Sequence, residues 1–301
     1  MNRIMSNKTE VRRIVFETIA TIGVCALVFI GITQTAYSAI INQTNTLPAA
    51  SSLQTSSQPP SSSIPAGYVK ADYQMQLGQY SKPATAQDIS KEEAAEIGAQ
   101  SLWQVFGLDL SGKTIEMTYN AVTSTQPRAD WSGIVTINEN HAYFFSVDAI
   151  TGELRVTSQD KYWDKGVDTG MDKSLLTNHA KLDSLAKEIA EKYQLVPGKV
   201  ASVEYYGQGF TSNPSGAKNA DVAMRVKSAN GQQAQLTFSR YNQEFLGVAY
   251  DCWIKEATLM EEQILKKQQE TAATKILIDD QKMEGAQESR GFWLKVTEKS
   301  K

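Results

Sequence analysis

Cysteine and histidine are scarce in this chain, with two of each among 301 residues. Cys25 sits inside an apolar N-terminal run and Cys252 at the end of an expected strand, so there is no disulfide framework and no pairing within one chain is expected. Cys252 reads as a small buried hydrophobe, and a cysteine metal site is excluded. His141 and His179 fall into no metal-ligand spacing such as i, i+4, and read as ordinary surface histidines. An excess of either charge is also missing. The net charge of -3 and pI near 5.6 give no basic cluster of the kind that nucleic-acid binders use, so no nucleic-acid partner is expected.

Familiar catalytic signatures are absent as well. No Gly-x-Ser-x-Gly elbow and no phosphate-cradling glycine loop occurs, and Gly207-Gln-Gly209 is followed by no helix. Glu92-Glu93 at a helix start is explained by the helix dipole, and Asp279-Asp280 lacks the further ligands of a calcium loop. No catalytic, cofactor-binding or metal-binding residue is assigned, and a non-enzymatic protein without cofactor is expected. The alternative, an envelope enzyme using carboxylates such as Glu116, Asp148 or Glu153, requires an acidic cleft that brings two of them within one substrate's width.

The N-terminus is the first positive signal. Arg3, Lys8, Arg12 and Arg13 precede an apolar run from Ile14 to Ile32, and no further Lys or Arg occurs until Lys70. That asymmetry predicts a cytoplasmic N-terminus and an exported body, membrane-attached through residues 14–38. The run approaches the roughly 20 residues that span a bilayer, which favours a retained anchor. Small residues around Ala36-Tyr37-Ser38 keep a cleaved signal peptide, and hence a secreted ligand-binding protein, as the alternative.

The fold class read from the pattern is α+β: an N-terminal transmembrane helix, then two small units, each one helix on an antiparallel meander, and a C-terminal helix. The corresponding boundaries are a tail at 1–13, the anchor at 14–38, a flexible linker at 39–87, the units at 88–170 and 171–253, and a charged helix and tail at 254–301. The linker is assigned because residues 42–67 are Ser-, Thr-, Asn- and Pro-rich with little apolar surface. In the first unit Ser90-Lys-Glu-Glu93 is a capping box that opens a helix ended by Gly107. Ile115, Met117 and Tyr119 alternate as a strand, Trp131 to Ile137 form another, and Tyr143, Phe145 and Val147 a third. Asp148, Thr151 and Gly152 form the structural turn to the next strand, with Leu154 and Val156. The second unit repeats this order. Its helix carries Leu182, Leu185, Ala186, Ile189, Ala190 and Tyr193; a loop is expected from Gly207 to Ala220, and Asn230-Gly231 is a strong hairpin signal.

The stretch Ile89-Ser-Lys-Glu-Glu-Ala-Ala95, followed by Val147-Asp148-x-x-Thr151-Gly152-Glu153-Leu154, resembles the PepSY domain over about 70 residues of the first unit. In that family such a helix packs on a small sheet whose last hairpin carries the Asp-x-x-Thr-Gly-Glu turn. The second unit departs from the pattern, with Arg240-Tyr-Asn-Gln-Glu-Phe245 in place of the Thr-Gly turn. The resemblance implies an extracytoplasmic, non-enzymatic, often membrane-attached module associated with regulating proteases or cell-wall hydrolases. It supplies no catalytic residue to carry over.

Aromatic residues fall at strand ends. They either seal the joint between the units or line an exposed groove for a peptide or glycan; Tyr162, Trp163, Tyr205, Tyr206 and Trp253 are the candidate partner-binding residues. Residues 255–301 contain nine basic and nine acidic residues. The helix expected from Ile254 offers a surface for self-association, and the late cluster Gly291-Phe-Trp-Leu-Lys-Val296 offers one for docking or a partner. An envelope protein is the partner expected.

Overall fold

The protein is described by a computed structural model over residues 64–264 and 266, apart from 124–125 and 164–167. The anchor expected at 14–38, the acidic pair at 279–280 and the apolar cluster at 291–296 lie outside the described residues. Among the described residues no helix is long and apolar enough to cross a membrane. The chain divides at Ile254/Lys255 into two units. In the second, the described residues up to 264 are helical.

The first unit is α+β. In chain order it runs β1 (Gln74–Leu77), α1 (Lys91–Phe106), β2 (Thr114–Asn120), β3 (Asp130–Asn138), β4 (His141–Asp148), β5 (Leu154–Lys161), a 3-10 turn (Lys173–Leu176), α2 (Ala180–Lys192), β6 (Val200–Ser212), β7 (Lys218–Ser228), β8 (Gln233–Ser239) and β9 (Phe245–Tyr250). The two expected meanders are not separate sheets. They join through antiparallel pairing of β5 with β9 into one nine-stranded sheet of order β1-β2-β3-β4-β5-β9-β8-β7-β6. The joint is short, with Val156, Thr157 and Ser158 opposite Ala249, Val248 and Gly247. It pairs the fourth strand of each meander, so the halves are related by a pseudo-two-fold axis normal to the sheet.

Alternation assigns the two faces. One residue from each strand lines up across the sheet in the row Leu77, Met117, Gly133, Phe145, Thr157, Val248, Leu236, Met224, Tyr205. This row lies on the side of the helices, where Ser101 of α1 shares a 2.6 Å hydrogen bond with Thr157. Two apolar clusters fill that side. One is built on α1 with Ile115, Met117, Phe145 and Val147; the other is built on α2 with Val222, Met224, Leu236, Phe238 and Val248. Val105 of α1 belongs to the second cluster, so the halves share a core as well as a sheet.

The helix starts as its sequence predicts. Ser90 Oγ accepts from Glu93 N at 3.1 Å, and Gly107, at φ 66°, ends α1 in the left-handed region. Close approach of α1 to the sheet requires glycine: a Cβ at Gly98 would stand 2.3 Å from the Phe145 ring, and one at Gly133 would stand 2.1 Å from it. Phe145 therefore fills the space that two absent side chains leave.

Two expected boundaries change. The loop expected at Gly207–Ala220 is mostly strand, because β6 continues to Ser212 and β7 begins at Lys218. A bulge between Tyr205 and Gly207 keeps the register, and Gly209 lets β6 pass the Asp221 carboxylate, 3.1 Å from where a Cβ would sit. Residues 64–87, about half of the expected linker at 39–87, are also described. Residues 64–77 form a strap over α1 and add β1 in parallel to β2, the one parallel pair in the sheet.

Candidate functional site

The Asp-x-x-Thr-Gly hairpin is a structural device. Asp148 Oδ1 accepts from Ile150 N at 3.0 Å and Thr151 N at 2.8 Å, while Arg128 Nη1 donates to Oδ2 at 3.0 Å. Gly152, at φ 71°, supplies the positive φ of the turn. Thr151 Oγ1 donates to Glu153 Oε2 at 3.3 Å. Beside this turn, Asp130 accepts from Asn120 Nδ2 at 2.7 Å and Ser146 Oγ at 3.0 Å, with Arg155 Nη1 at 3.6 Å. Burial raises the Asp130 carboxyl above its ordinary value despite Arg155 and those hydrogen bonds. Cys252 Sγ donates to Leu154 O at 3.2 Å, and burial pushes the thiol up to about 12. Of the carboxylates considered for an enzyme, Asp148 is occupied by its turn, Glu153 is bonded to Thr151, and Glu116 is exposed.

The five candidate aromatic residues are not gathered into one groove. Trp253 is buried against the Arg155 guanidinium, 4.7 Å from ring centroid to Cζ. Tyr205 joins the core beside His179 at 5.9 Å. Tyr206, at the bulge, stacks on Arg225 at 4.0 Å. Tyr162 and Trp163 are neighbours at one end of the sheet, where Trp163 packs on Tyr241 with centroids 5.4 Å apart. The histidines are likewise locally occupied, His141 by Gln159 at 2.9 Å and His179 by Asp183 at 2.8 Å.

Two features not read from the sequence stand out. The first is the contrast between the sheet edges. The β2 edge is covered by the strap, whose Tyr68 and Tyr73 hydroxyls donate to Glu96 of α1 at 2.8 and 3.0 Å. Gln100 Nε2 donates to the same carboxylate at 3.2 Å, and Lys70 Nζ stands 3.5 Å away. Burial works against the Glu96 charge, but these donors outweigh it and hold the carboxyl below its ordinary value. At the other edge β6 runs for 13 residues, about twice the usual strand length. No strand among the described residues pairs with its outer side.

The second feature is a polar corner on the sheet face opposite the helices. Asn219 and Asp221 alternate with Ala220 and Val222 of β7, so they face away from the core, as Asp160 of β5 does. The bridge between Trp163 and Lys218 sets Tyr162 opposite Asn219, and the Tyr162 hydroxyl is close enough to interact with the Thr211 side chain. Both Asn219 and Asp221 are 3% exposed. Asn219 Oδ1 has no hydrogen-bond partner among the described residues. Asp160 has no hydrogen bond or ion pair among the described residues, and burial alone raises its carboxyl above its ordinary value. Burial also lifts Asp221 to about 6, against Arg240 and the Gly209 amide. The sequence signal here was faint: two lone aspartates on strands with otherwise unremarked neighbours.

Among the described residues no group of three or more His, Cys, Asp or Glu side chains is placed to hold a metal ion. Comparison with protein-family models, with curated proteins and with solved structures gives no match for the chain.

Proposed function

We propose that the protein is a non-enzymatic binding and regulatory module, anchored to the membrane through residues 14–38 with its body outside the cytoplasm. It engages an envelope protein, such as a protease or cell-wall hydrolase, through the outer edge of β6. The PepSY-like helix and hairpin, the charge asymmetry around the apolar run and the Ser- and Pro-rich spacer support this reading.

The observation that carries the docking surface is internal to the fold. The pseudo-two-fold makes β2 and β6 equivalent outermost strands of their meanders, and beyond β2 lies β1. One half of the molecule thus displays what the edge of the other half is shaped to take: an extended segment that adds as a strand. Backbone hydrogen bonds along the edge supply affinity, and the alternating side chains of the added strand supply specificity. An extended segment of the partner protein is the proposed occupant.

Fractionation of the full chain carrying a C-terminal tag, with protease shaving of intact cells, tests the placement. Full-length protein in the membrane fraction whose tag is lost to external protease is the expected result. A shortened protein in the medium would sink the anchor. Edge docking is tested by a Ser202→Lys, Phe210→Lys variant, both exposed on β6, which blocks strand addition while leaving the buried face intact. Its partner association is expected to fall at least about tenfold.

A further inference from the structure

The chain coming from residues 14–38 enters the fold through the strap, at the β1 edge, and the proposed docking strand β6 is outermost at the other end of the same sheet. A pull between the anchor and a partner held on β6 therefore reaches the sheet through residues 64–77. That load meets the ties of the strap one after another. First comes the 3.4 Å hydrogen bond from Trp103 Nε1 to Ala66 O, then those from Tyr68 and Tyr73 to Glu96, and then the four residues of β1. Ties broken in sequence resist far less than ties sheared together. Within β1 only Met75 is half-buried, and Gln74, Gln76 and Leu77 are exposed. Behind it β2 is fixed by five antiparallel pairs with β3 and by Ile115, Met117 and Tyr119, each buried in the core. Peeling beyond β1 meets a second hold, where Tyr119 N donates to Ser81 Oγ at 2.9 Å and Lys82 N to Tyr119 O at 3.1 Å. The strap can thus leave while the buried members of the first core cluster stay in place, since its own Tyr68, Ala71, Tyr73 and Met75 pack only at the margin of that cluster.

We infer that residues 64–77 are a tension-released latch: a pull along the chain from the anchor detaches the strap from α1 and β2 before any other element of the first unit yields, and uncovers β2 as a second open edge. The source of the load rests on the proposed anchor and on the β6 docking edge; the order of yielding does not. An uncovered β2 presents a row of unpaired N–H and C=O groups, so the released state has one more place where an extended segment can add as a strand. Glu96 sets the threshold, because both tyrosine ties end on its carboxylate.

The full chain in detergent is held in optical tweezers by handles on non-natural residues at Ile64 and Glu204, both exposed, and stretched slowly. Release of the strap is expected as a separate first step that lengthens the tether by at most about 50 Å, at 3.3–3.6 Å per residue, and reverses on relaxation. The rest of the unit follows at higher force. Glu96→Ala is expected to shift the opening equilibrium at a given force about thirtyfold toward the released state. A Tyr68→Phe, Tyr73→Phe variant removes the same two hydrogen bonds while keeping the rings and should act in the same direction, which keeps the test decisive where the alanine variant fails to fold. A single all-or-none rip with no earlier step, or a first step that neither variant eases, overturns the latch. An early step eased by the variants, combined with a shortened protein in the medium, would retain the latch and remove the anchor as its load. No early step in a protein that fractionates with the membrane would remove the latch alone.

Discussion

Replacing Glu96 with alanine is the sharpest test of how the strap is held. The carboxylate takes hydrogen bonds from Tyr68 at 2.8 Å and Tyr73 at 3.0 Å, which tie residues 64–77 to α1 beside the Lys70 ion pair. Hydrogen bonds to charged groups are worth about 1.5–3 kcal/mol when buried; these are half-buried, so about 1 kcal/mol each is a fair discount. The Lys70 pair, with the lysine side chain 71% exposed, adds little. Detachment of the strap should therefore become easier by about 2 kcal/mol, or about thirtyfold. The assay is native-state hydrogen exchange at three strap amide bonds: Gln74 N to Lys113 O, Gly78 N to Met117 O and Gly112 N to Asp72 O, each 2.9 Å. These amides should exchange about thirtyfold faster in Glu96→Ala, while those of β7 and β8 stay as they were. A uniform acceleration across the sheet would show that the strap is integral to the fold, and no acceleration would show that Glu96 does not hold it. The pH dependence has a defined sign. Glu96 has a folded pKa below its ordinary 4.5, so its contribution is complete above that value and is lost as pH falls through the folded pKa; strap exchange should quicken in that acid range in wild type and not in the variant.

Asp221 acts in the opposite sense. Its carboxyl rises from 3.8 to about 6 in the fold, so the folded form holds a proton that the unfolded chain releases, and stability falls as pH rises between those values. Urea denaturation of Asp221→Asn against wild type should show the variant more stable at pH 7 by on the order of 2–3 kcal/mol, with the difference vanishing near pH 4. Gly98→Ala would drive a methyl into the Phe145 ring and should destabilise the protein by about 1–3 kcal/mol, with Phe145→Leu in the same chain recovering part of it. Asp148→Ala removes the acceptor for two turn amides and for Arg128. It should lower stability by about 2–4 kcal/mol and loosen the β4–β5 hairpin first, seen as faster exchange at Ile150 and Thr151.

Local patterns were legible where one period governed one element. Ser90 and Gly107 bounded α1 because caps act through the nearest backbone groups, and Tyr143, Phe145 and Val147 marked β4 because one face is buried. Long-range assembly was not legible. Nothing local in Val156 or Val248 says that β5 and β9 pair, since a strand's partner is set by the packing of α1 and α2 on a common face. Gly207 and Gly209 read as loop because glycine is a poor strand former, whereas here both leave room on the face that holds Asp221. The strap was hidden by its polar surroundings: Tyr68 and Tyr73 matter only because Glu96, 28 and 23 residues away, is there to accept from them. The aromatic residues illustrate the same limit, since adjacency in sequence placed Tyr205 in the core and Tyr206 on Arg225.

Docking along β6 is tested most directly by site-specific photo-crosslinking in intact cells. A photoreactive residue is placed in the full chain at Ser202 or Glu204 on β6 and, as controls, at Lys181 or Lys187 on α2, all exposed. A discrete adduct with one exported protein from the β6 positions, absent from the α2 positions and lost on adding Phe210→Lys, is the predicted result. Adducts confined to α2, or none from β6 in a folded and membrane-attached protein, would contradict it.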